Sequence, residues 1–332
     1  MKPVYLLPKR KFFYLVIVSL LWLMVCPSLH AQQYKTRWTV AKDGSGDFSS
    51  VQAAIDACKS FPDVRITIFI RKGVYHEKVT VPSWNTRLSL VGEDKDSTII
   101  TYGDYFGKIK RGPNSTFHTA TLLVEANDFE AANLTIENSA GPVGQAIALA
   151  VIAKRCAFRN CRLLGNQDTL YAAGEDGCQY YKGCYIEGTT DFIFGEATAL
   201  FDSCTLMSKS NSYITAASTP QQAAYGFVFR NCVLDAAPGV SKVLLGRPWR
   251  KYARVAFVNC KMGGFIQPSG WGNWNNPSNE KTVVYAEYGS TGDGARSSER
   301  VKWSKQLTAR EARKYTPKYI FAACPGWERS LP

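Results

Sequence analysis

The amino-acid sequence predicts an all-β fold: a parallel β-helix with a short helix covering its N-terminal end and a helical segment near its C-terminus. Three observations support this prediction. Segments in the middle of the chain recur every 20 to 28 residues, most copies carry a cysteine at the same offset, and the copies contain short strand-like runs without helical periodicity. Repeats of this size mark stacked units, because one unit is too small to bury its own apolar face.

Each copy ends in an apolar residue, a variable residue, then Asn, Gly or Ser, and finally a cysteine, as in residues 158–161. An earlier copy, residues 131–134, ends in leucine. Alternating runs such as residues 135–137, bounded by Gly and Asn, are typical of short strands. A β-sandwich with accidental cysteine spacing is the alternative, but five aligned cysteines favour the β-helix. Those cysteines are Cys161, Cys184, Cys204, Cys232 and Cys260.

Both ends of the repeat region carry helix signals. Ser50 is a candidate N-cap for a short helix that we expect to cover the first coil, where strand edges would otherwise be exposed. Near the C-terminus, Thr308 and Glu311 form a capping-box pattern that predicts a helical stretch over residues 309–315, packed back along the coils. The apolar residues of the first helix fall on one face and are Val51, Ala54, Ile55 and Cys58.

The N-terminus has the pattern of a secretion signal. Three basic residues at positions 9–11 precede an uncharged, mostly apolar run over residues 12–25, and a cleavage site could follow Ala31. The run is too short for a membrane span. A lipid anchor on Cys26 is disfavoured, because the preceding residue is the bulky Val25. We therefore predict a signal peptide over residues 1–31, one elongated domain over residues 32–332, and export to a periplasm or the exterior.

The charge balance indicates an anionic partner. The chain has a formal net charge of +13, and residues 1–31 hold four basic and no acidic residues, so removing them leaves +9. A basic exported protein favours acidic polymers. We find no nucleic-acid-binding motif and no lysine cluster, so an acidic polysaccharide fits better than nucleic acid. We expect no membrane contact after the signal is removed.

Nine cysteines lie beyond the predicted signal, so at least one is unpaired. We expect most repeat cysteines to point inward as small apolar side chains. Cys184 and Cys204 are the best disulfide candidates, because they occupy matching positions on adjacent coils and an exported protein meets oxidising conditions. No spacing of Cys and His indicates a zinc site, and we predict no metal.

Two aspartates hold the same place in consecutive copies of the repeat. Asp168 and Asp191 each follow their cysteine by seven residues and lie 23 residues apart. Stacked coils would put them roughly 4.8 Å apart, where like charges separate two pKa values and suit acid/base or nucleophilic chemistry. Capping of turns is the alternative role. A Ser-His-Asp site is poorly supported, because only His76 and His118 lie beyond the signal and no Gly-x-Ser-x-Gly motif occurs.

The segments around these aspartates resemble the pectin methylesterase (pectinesterase) family, and the compact chain resembles its bacterial type. Each motif alone is weak, but all occur in the family's order across nearly all of the region after the signal. They are residues 43–48, 51–55, 73–77, 138–142 with 145–146, 167–171, 191–195, 245–249, and 270–271 with Trp274. The resemblance implies a right-handed parallel β-helix, no cofactor, and hydrolysis of the C6 methyl esters of homogalacturonan to pectate and methanol.

The resemblance also implies roles for single residues. Asp191 would attack the ester carbonyl to give an acyl-enzyme, and Asp168 would act as general acid and then as general base. Arg247 would pair with Asp191 and keep it charged. Gln145 and Gln167 would stabilise the oxyanion through their side-chain amides, although an internal amide ladder is an alternative role.

The resemblance places further residues along the substrate. Trp271 and Trp274 match the family motifs, although aromatic residues of this kind more often pack than contact a ligand, and His76 and His118 are expected to be structural. The chain departs from the family at Asn166, where an aromatic residue is common, and in residues 215–218. We expect a monomer whose partner is methyl-esterified homogalacturonan. The residues expected to border that substrate are Thr116, Phe117, Tyr171, Phe194 and Trp249.

Three other functions share the predicted architecture. A pectate lyase would need an acidic calcium cluster, which we do not find. A polygalacturonase would need paired aspartates with a histidine-glycine motif, which is absent from the sequence. A non-catalytic polysaccharide-binding solenoid would give no reason for two aspartates, two glutamines and an arginine in one pattern. The sequence therefore favours the esterase.

Overall fold

The computed structural model describes Met1, Pro3, residues 34–174 and residues 176–327. The chain divides into two units, Met1–Lys35 and Thr36–Pro332, and every helix and strand named below belongs to the second. Apart from Met1 and Pro3, the predicted signal peptide and its cleavage site near Ala31 lie outside the described residues. Within the described residues, no helix is both long enough and apolar enough to cross a membrane.

The strands form three sheets of eleven, eight and seven strands, and neighbours within a sheet pair in parallel. From β2 to β25, consecutive strands along the chain belong to different sheets, whereas the hydrogen-bonded neighbour comes from the next coil. The chain therefore winds as a parallel β-helix, and the predicted fold class is confirmed.

The strand bounds follow, sheet by sheet. The first sheet holds β1 Arg37–Val40, β2 Ile66–Ile70, β5 Leu88–Gly92, β8 Glu130–Ala132, β11 Cys156–Arg159, β14 Cys178–Lys182, β17 Thr198–Asp202, β20 Phe227–Arg230, β23 Arg254–Val258, β25 Val284–Tyr288 and β26 Lys305–Gln306. The second holds β3 Gly73–His76, β6 Thr98–Tyr102, β9 Thr135–Asn138, β12 Arg162–Leu164, β15 Tyr185–Gly188, β18 Thr205–Ser208, β21 Val233–Ala236 and β24 Lys261–Met262. The third holds β4 Val79–Val81, β7 Leu122–Val124, β10 Leu149–Val151, β13 Leu170–Ala172, β16 Ile193–Gly195, β19 Tyr213–Ala217 and β22 Leu244–Pro248.

The turn from the first sheet to the second explains the sequence repeat. In six successive coils its first residue has a positive φ between 50° and 59°, a conformation that Gly and Asn adopt most easily. The residue that follows is buried at 1% exposure or less and is the repeat cysteine, or Leu134 in the earliest copy. The turn residues are Asn133, Asn160, Gly183, Ser203, Asn231 and Asn259.

Aromatic side chains stack along the inside of the first sheet. Phe158, Tyr181, Phe201, Phe229 and Phe257 lie on consecutive coils, with ring centroids 5.0, 4.7, 4.5 and 4.5 Å apart and ring planes within 13° of parallel. Each ring is fully buried. Such a pair adds about 0.5–1.5 kcal/mol beyond the burial of its area, so the column fixes the register of the coils.

The N-terminal capping helix forms as predicted. Helix α1 spans Val51–Asp56, and the Ser50 hydroxyl accepts a hydrogen bond from the amide of Ala53. Val51, Ala54 and Ile55 are fully buried, and the helix packs against β1, β2 and β4. Its apolar face therefore covers the first coil. A second short helix, α2, spans Phe106–Ile109, and short 3-10 helices span Gly112–His118, Pro277–Lys281 and Ser297–Glu299.

The C-terminal segment returns along the coils, as predicted, but the helix expected over residues 309–315 ends at Ala312. Helix α3 spans Ala309–Ala312 and has both hydrogen bonds of the Thr308 and Glu311 capping box. Helix α4 spans Pro317–Ile320, and Ile320 with Phe321 packs in one apolar cluster with Tyr180 and Leu200 of the first sheet. A disulfide between Cys178 in β14 and Cys324, 146 residues apart, ties this segment to the coils.

The predicted disulfide between Cys184 and Cys204 is wrong, because both are free, buried thiols. In-register stacking holds two side chains parallel and about 4.8 Å apart, whereas a disulfide needs a Cβ separation of about 3.5–4.5 Å. Each thiol instead donates to a carbonyl of the preceding coil, Cys184 to Phe158 at 3.5 Å and Cys204 to Tyr181 at 3.4 Å. The expectation that the repeat cysteines point inward is confirmed.

Candidate active site

The two repeat aspartates lie in consecutive turns between the second and third sheets. Asp168 follows β12 and precedes β13, and Asp191 holds the same place between β15 and β16. Strands β13 and β16 pair Leu170 with Ile193. Asp168 lies two residues before Leu170 and Asp191 two residues before Ile193, so the two aspartates hold equivalent positions on neighbouring coils. The sequence correctly placed them on neighbouring coils.

The backbone turns both carboxyl groups onto the outer face of the third sheet. Asp168 has a φ of 66° and Asp191 a φ of 49°, values that aspartate tolerates better than most residues. The turns are pinned by main-chain hydrogen bonds, from the amide of Asp168 to Thr190 O at 3.1 Å and from the amide of Asp191 to Tyr213 O at 2.8 Å. Strained conformations of this kind are common at functional sites.

The two carboxyl groups have different partners. Arg247 in β22 donates from Nε to Asp191 Oδ1 at 3.0 Å and from Nη2 to Oδ2 at 2.6 Å, a bidentate ion pair. Among the described residues, the carboxyl of Asp168 has no hydrogen-bond partner. Asp168 is 9% exposed and Asp191 5%. One carboxyl is therefore held by a cation, and the other faces the cleft alone.

This difference orders the two pKa values. Burial raises the pKa of Asp168 well above its ordinary value, the charge of Asp191 raises it further, and Arg247 opposes the rise. Burial also raises the pKa of Asp191, but the hydrogen bonds and charge of Arg247 oppose that rise directly. Asp168 therefore holds its proton to a higher pH than Asp191, which suits an acid beside a nucleophile.

Two aromatic rings hold the guanidinium of Arg247. Its central carbon lies 3.9 Å from the ring centroid of Trp274 and 4.4 Å from that of Tyr213. Tyr213 occupies the register position of Asp168 and Asp191 on the next coil, because β16 pairs Ile193 with Thr215. These two ring contacts restrain the guanidinium and so support the geometry of its pair with Asp191.

Two glutamine side chains complete the polar wall of the cleft. Gln145 and Gln167 face each other across an isolated parallel bridge on neighbouring coils. Their main-chain oxygens are engaged, Gln145 O by the amide of Phe106 at 2.9 Å and Gln167 O by that of Ala146 at 3.1 Å. Among the described residues, neither side-chain amide has a partner. Both amides are therefore available as donors toward a bound oxygen.

These residues line one cleft of about 360 Å³. An aromatic row crosses it in the order Trp249, Phe194, Tyr171 and Phe117, with successive ring centroids 5.8, 4.8 and 5.2 Å apart. Tyr171 lies between Phe194 and Phe117 without lining the cleft itself. The lining residues are Pro113, Thr116, Phe117, Gln145, Gln167, Asp168, Asp191, Phe194, Ala216, Arg247, Trp249 and Trp274.

The structure changes the set of candidate active-site residues. Tyr213 was missed, although its place in the repeat, equivalent to the two aspartates, was a usable signal. Trp274 lies in the cleft on Arg247, whereas Trp271 is a core residue, 2% exposed and donating from its indole to Glu287 Oε1 at 3.2 Å. His118 contacts Arg111 and does not line the cleft. Among the described residues, no cluster of three or more His, Cys, Asp or Glu side chains could hold a metal ion.

Fold and site together define a class: a parallel β-helix protein with paired carboxylates, an arrangement suited to acyl transfer. The family model described as Pectinesterase matches residues 37–323. Pectinesterase 31 of Arabidopsis thaliana is 42% identical over 281 residues, which cover 82% of this chain and 88% of that protein. The chain belongs to the pectinesterase family and is a carboxylic ester hydrolase.

Solved structures agree with this assignment. Pectin methylesterase from carrot superposes with a TM-score of 0.82 at 33% identity, covering 89% of this chain and 96% of that one. A pectin methylesterase in complex with a hexasaccharide superposes with a TM-score of 0.77 at 29% identity, covering 90% of this chain and 100% of that one. The pectin methylesterase fold implied by the sequence resemblance is thus confirmed.

Proposed function

We propose that this chain hydrolyses the C6 methyl esters of homogalacturonan, with Asp191 as nucleophile and Asp168 as general acid and then general base. The assignment of these two roles depends on one observation, that the stacked carboxyl groups of Asp168 and Asp191 have different partners. Asp191 is held by two hydrogen bonds from Arg247, whereas Asp168 is unpartnered among the described residues and keeps its proton to higher pH.

In the first half-reaction, a carboxylate oxygen of Asp191 forms a bond to the ester carbonyl carbon. The carbonyl electrons move onto its oxygen, where the side-chain amides of Gln145 and Gln167 donate hydrogen bonds. The tetrahedral intermediate then breaks its bond to the methoxy oxygen. That oxygen takes the proton of Asp168 and leaves as methanol. The products of this step are an anhydride between Asp191 and the sugar carboxyl, and an ionised Asp168.

In the second half-reaction, water attacks the carbonyl of the acyl-enzyme. Asp168, now a carboxylate, takes the proton of the attacking water, and the carboxylate of Asp191 is the leaving group. Arg247 stabilises that departing carboxylate through the same two hydrogen bonds that hold it in the resting enzyme. The cycle returns both carboxyl groups to their starting protonation states and leaves a carboxylic acid on the intact galacturonan chain, which releases its proton to solvent.

The aromatic row supports binding of the polymer chain. Phe117 and Trp249 stand at the two ends of the row and offer apolar faces to sugar rings, and Thr116 lines the same wall. Gln145, Gln167 and Trp274 line the remaining sides of the space for one methyl-esterified galacturonate unit. We propose a monomer that acts outside the cytoplasm on methyl-esterified homogalacturonan, after removal of the predicted signal over residues 1–31.

The test is a product assay on highly methyl-esterified pectin, with methanol, new carboxyl groups and unsaturated chain ends followed together. We expect methanol and acid in equal amounts without chain cleavage. Asp191→Asn should lower kcat by about 10³-fold or more and Asp168→Asn by about 10²–10⁴-fold. Asp293→Asn, which changes an exposed aspartate outside the cleft, is the matched control and should keep full activity.

Two outcomes would overturn the proposal. Unsaturated or reducing ends without methanol would make the chain a lyase or a glycosidase. Methanol release that survives Asp191→Asn would remove Asp191 as nucleophile. Mass spectrometry of wild-type enzyme acid-quenched during turnover of a methyl-esterified oligogalacturonide gives a direct readout, because the peptide carrying Asp191 should gain the mass of the oligomer less methanol and should lack this gain in the Asp191→Asn variant.

A further inference from the structure

Lys209 reaches across one coil to hold the turn that carries Asp168. It follows β18, and its ammonium donates to Gly165 O at 2.7 Å and to Glu187 Oε1 at 2.9 Å. Gly165 lies two coils away, just after β12, and Glu187 lies between them in β15. Neighbouring strands are about 4.8 Å apart, so the side chain spans two strand spacings. One lysine therefore joins three consecutive coils at the corner where the catalytic turns begin.

The bond to Gly165 lies where the backbone ladder between the two catalytic coils stops. Strands β12 and β15 pair as far as Leu163 and Ile186, whereas β15 and β18 pair as far as Gly188. The main-chain amide of Lys209 donates to Gly188 O at 2.8 Å. Gly165 and Gly188 are equivalent, because each follows its repeat cysteine by four residues. Lys209 thus holds the same carbonyl of both catalytic coils, one through its side chain and the other through its backbone.

The turn beyond this bond is short and leads directly to two reacting side chains. Its next main-chain bonds go to the middle coil, from the amide of Thr189 to Asn166 O at 3.0 Å and from the amide of Asp168 to Thr190 O at 3.1 Å. Gln167 and Asp168 end the turn, and both line the catalytic cleft. The carbonyl that Lys209 holds is three residues before Asp168. A shift of that carbonyl would therefore move both side chains.

A second acceptor holds the ammonium of Lys209 in place. Glu187 Oε1 pairs with it at 2.9 Å, and Glu187 Oε2 accepts a hydrogen bond from the Tyr185 hydroxyl at 3.0 Å. The side chain of Lys209 is 29% exposed and that of Glu187 is 20% exposed, so both are largely shielded from solvent. A lysine with two acceptors and little access to water keeps one geometry, and the carbonyl of Gly165 is kept with it.

We propose that Lys209 is a positioning residue for the oxyanion donor Gln167 and the general acid Asp168. The inference rests on the proposed function, which gives those two side chains their roles. Lys209 does not line the catalytic cleft, so it acts through the backbone that it holds. Both groups that it positions are used in the transition state, where misplacement by about 1 Å can cost 10²-fold in rate. Loss of the bond to Gly165 should therefore lower kcat and leave KM nearly unchanged.

The test removes the ammonium of Lys209 while keeping the length of the side chain. Lys209→Met loses both hydrogen bonds, whereas Lys209→Arg keeps donors for the same two acceptors. Lys305→Met is the matched control, because Lys305 also pairs with a glutamate, Glu311 at 2.6 Å, and lies outside the catalytic cleft. For each variant we would measure kcat and KM on a methyl-esterified oligogalacturonide, the pH profile of kcat/KM, and thermal unfolding.

We expect Lys209→Met to lower kcat about three- to thirtyfold with KM within about twofold of the wild type, and Lys209→Arg to recover most of kcat. Lys305→Met should change neither constant. The basic limb of the pH profile, set by the proton of Asp168, should move to lower pH in Lys209→Met, because a looser turn admits water and weakens the burial that raises this pKa. Asp191 and Arg247, whose charges also act on Asp168, are unchanged in the variant.

A double variant separates the lost bond to Gly165 from the effect of an unpaired carboxylate. Lys209→Met leaves Glu187 without its ammonium partner, and Lys209→Met combined with Glu187→Gln removes that charge as well. The double variant should be as slow as Lys209→Met, because the carbonyl of Gly165 is still unheld. Recovery of the wild-type kcat in the double variant would overturn the proposal, and so would equal losses of kcat in Lys209→Arg and Lys209→Met.

The positioning role and the proposed function fail in different ways. If the wild type releases no methanol from the oligomer, the proposed function is wrong whatever the variants do. If it releases methanol, and Lys209→Met keeps the wild-type kcat and pH profile, only the positioning role is wrong. Should Lys209→Met lose folded protein, as judged by thermal unfolding, Lys209→Gln repeats the comparison with the same expected loss of kcat, because its amide nitrogen stands one bond short of the ammonium and cannot reach Gly165 O.

Discussion

Replacing Asp168 by asparagine should make the protein more stable while removing its activity. Asp168 is 9% exposed, and its carboxyl lacks a hydrogen-bond partner within the described residues. Burial is the main cause of its raised pKa, and the charge of Asp191 adds to it. Asparagine has nearly the same shape, carries no charge, and suits the φ of 66° at this position. The substitution therefore removes the cost of burying an ionisable carboxyl without adding backbone strain.

The sign of the pH dependence follows from the raised pKa. In the folded state Asp168 keeps a proton that the unfolded chain releases above its ordinary pKa of 3.8. The folded state thus binds more protons than the unfolded state between that pH and the folded pKa, and its stability falls as pH rises through this window. An asparagine side chain does not titrate there, so the Asp168→Asn variant keeps the stability that the wild type loses.

We expect the free energy of unfolding of Asp168→Asn to exceed that of the wild type by about 1–2 kcal/mol at pH 7. The melting temperature should rise by about 2–6 °C. The gain should shrink as pH falls and disappear below about pH 4, where both states of the wild type hold the proton. Thermal unfolding followed by circular dichroism at several pH values, together with denaturant unfolding at pH 7, measures both quantities.

Two matched substitutions separate this explanation from a general effect of losing negative charge. Asp191→Asn removes the bidentate partner of Arg247 and should bring no comparable gain, because the guanidinium loses its two hydrogen bonds. Asp293→Asn removes an exposed charge and should be neutral. If Asp168→Asn were instead less stable than the wild type at pH 7, Asp168 would be a turn cap, and the assignment of a strained catalytic acid would be refuted.

Three further outcomes follow from the same geometry. Arg247→Gln should move the acidic limb of the pH profile of kcat/KM to higher pH, because burial would then raise the pKa of Asp191 unopposed; an unmoved limb would contradict the pairing. Tyr213→Leu should lower kcat about three- to thirtyfold while Tyr213→Phe keeps it, and equal losses in both would show that the ring contact with the guanidinium is unimportant. Cys178→Ser should cost about 2–5 kcal/mol of stability by freeing Cys324, and non-reducing peptide mapping of the wild type should recover that pair.

The repeat made the fold predictable because one backbone feature recurs in six successive coils. A residue with positive φ, most often Asn, turns the chain from the first sheet to the second, and the next side chain must enter the core. Both requirements restrict residue type strongly, so they are visible in the sequence as Asn followed by Cys. The helix ends were predictable for a similar reason, since Ser50 and Thr308 cap through local hydrogen bonds.

The disulfide could not be found in the same way, because it depends on where a segment outside the repeat returns. Cys324 follows the two short C-terminal helices, and nothing in its local sequence states which coil those helices contact. That contact is decided by the apolar packing of Ile320 and Phe321 on Tyr180 and Leu200. Repeat position indicates which residues are neighbours, but not whether their side chains face one another, and this is why Cys184 and Cys204 were mispaired.

One repeat position carries the chemistry of the site across three coils. Asp168, Asp191 and Tyr213 occupy it in turn, and they differ in charge while sharing backbone register. In the proposed mechanism the first two supply the acid and the nucleophile, and the third supplies a ring that contacts Arg247, the partner of the second. Because each coil repeats the backbone and changes only the side chain, the distance from acid to nucleophile is fixed by the strand spacing of about 4.8 Å. The fold sets that distance, and under the proposed mechanism the neighbours of each side chain, above all Arg247, decide which carboxyl donates the proton and which attacks the ester.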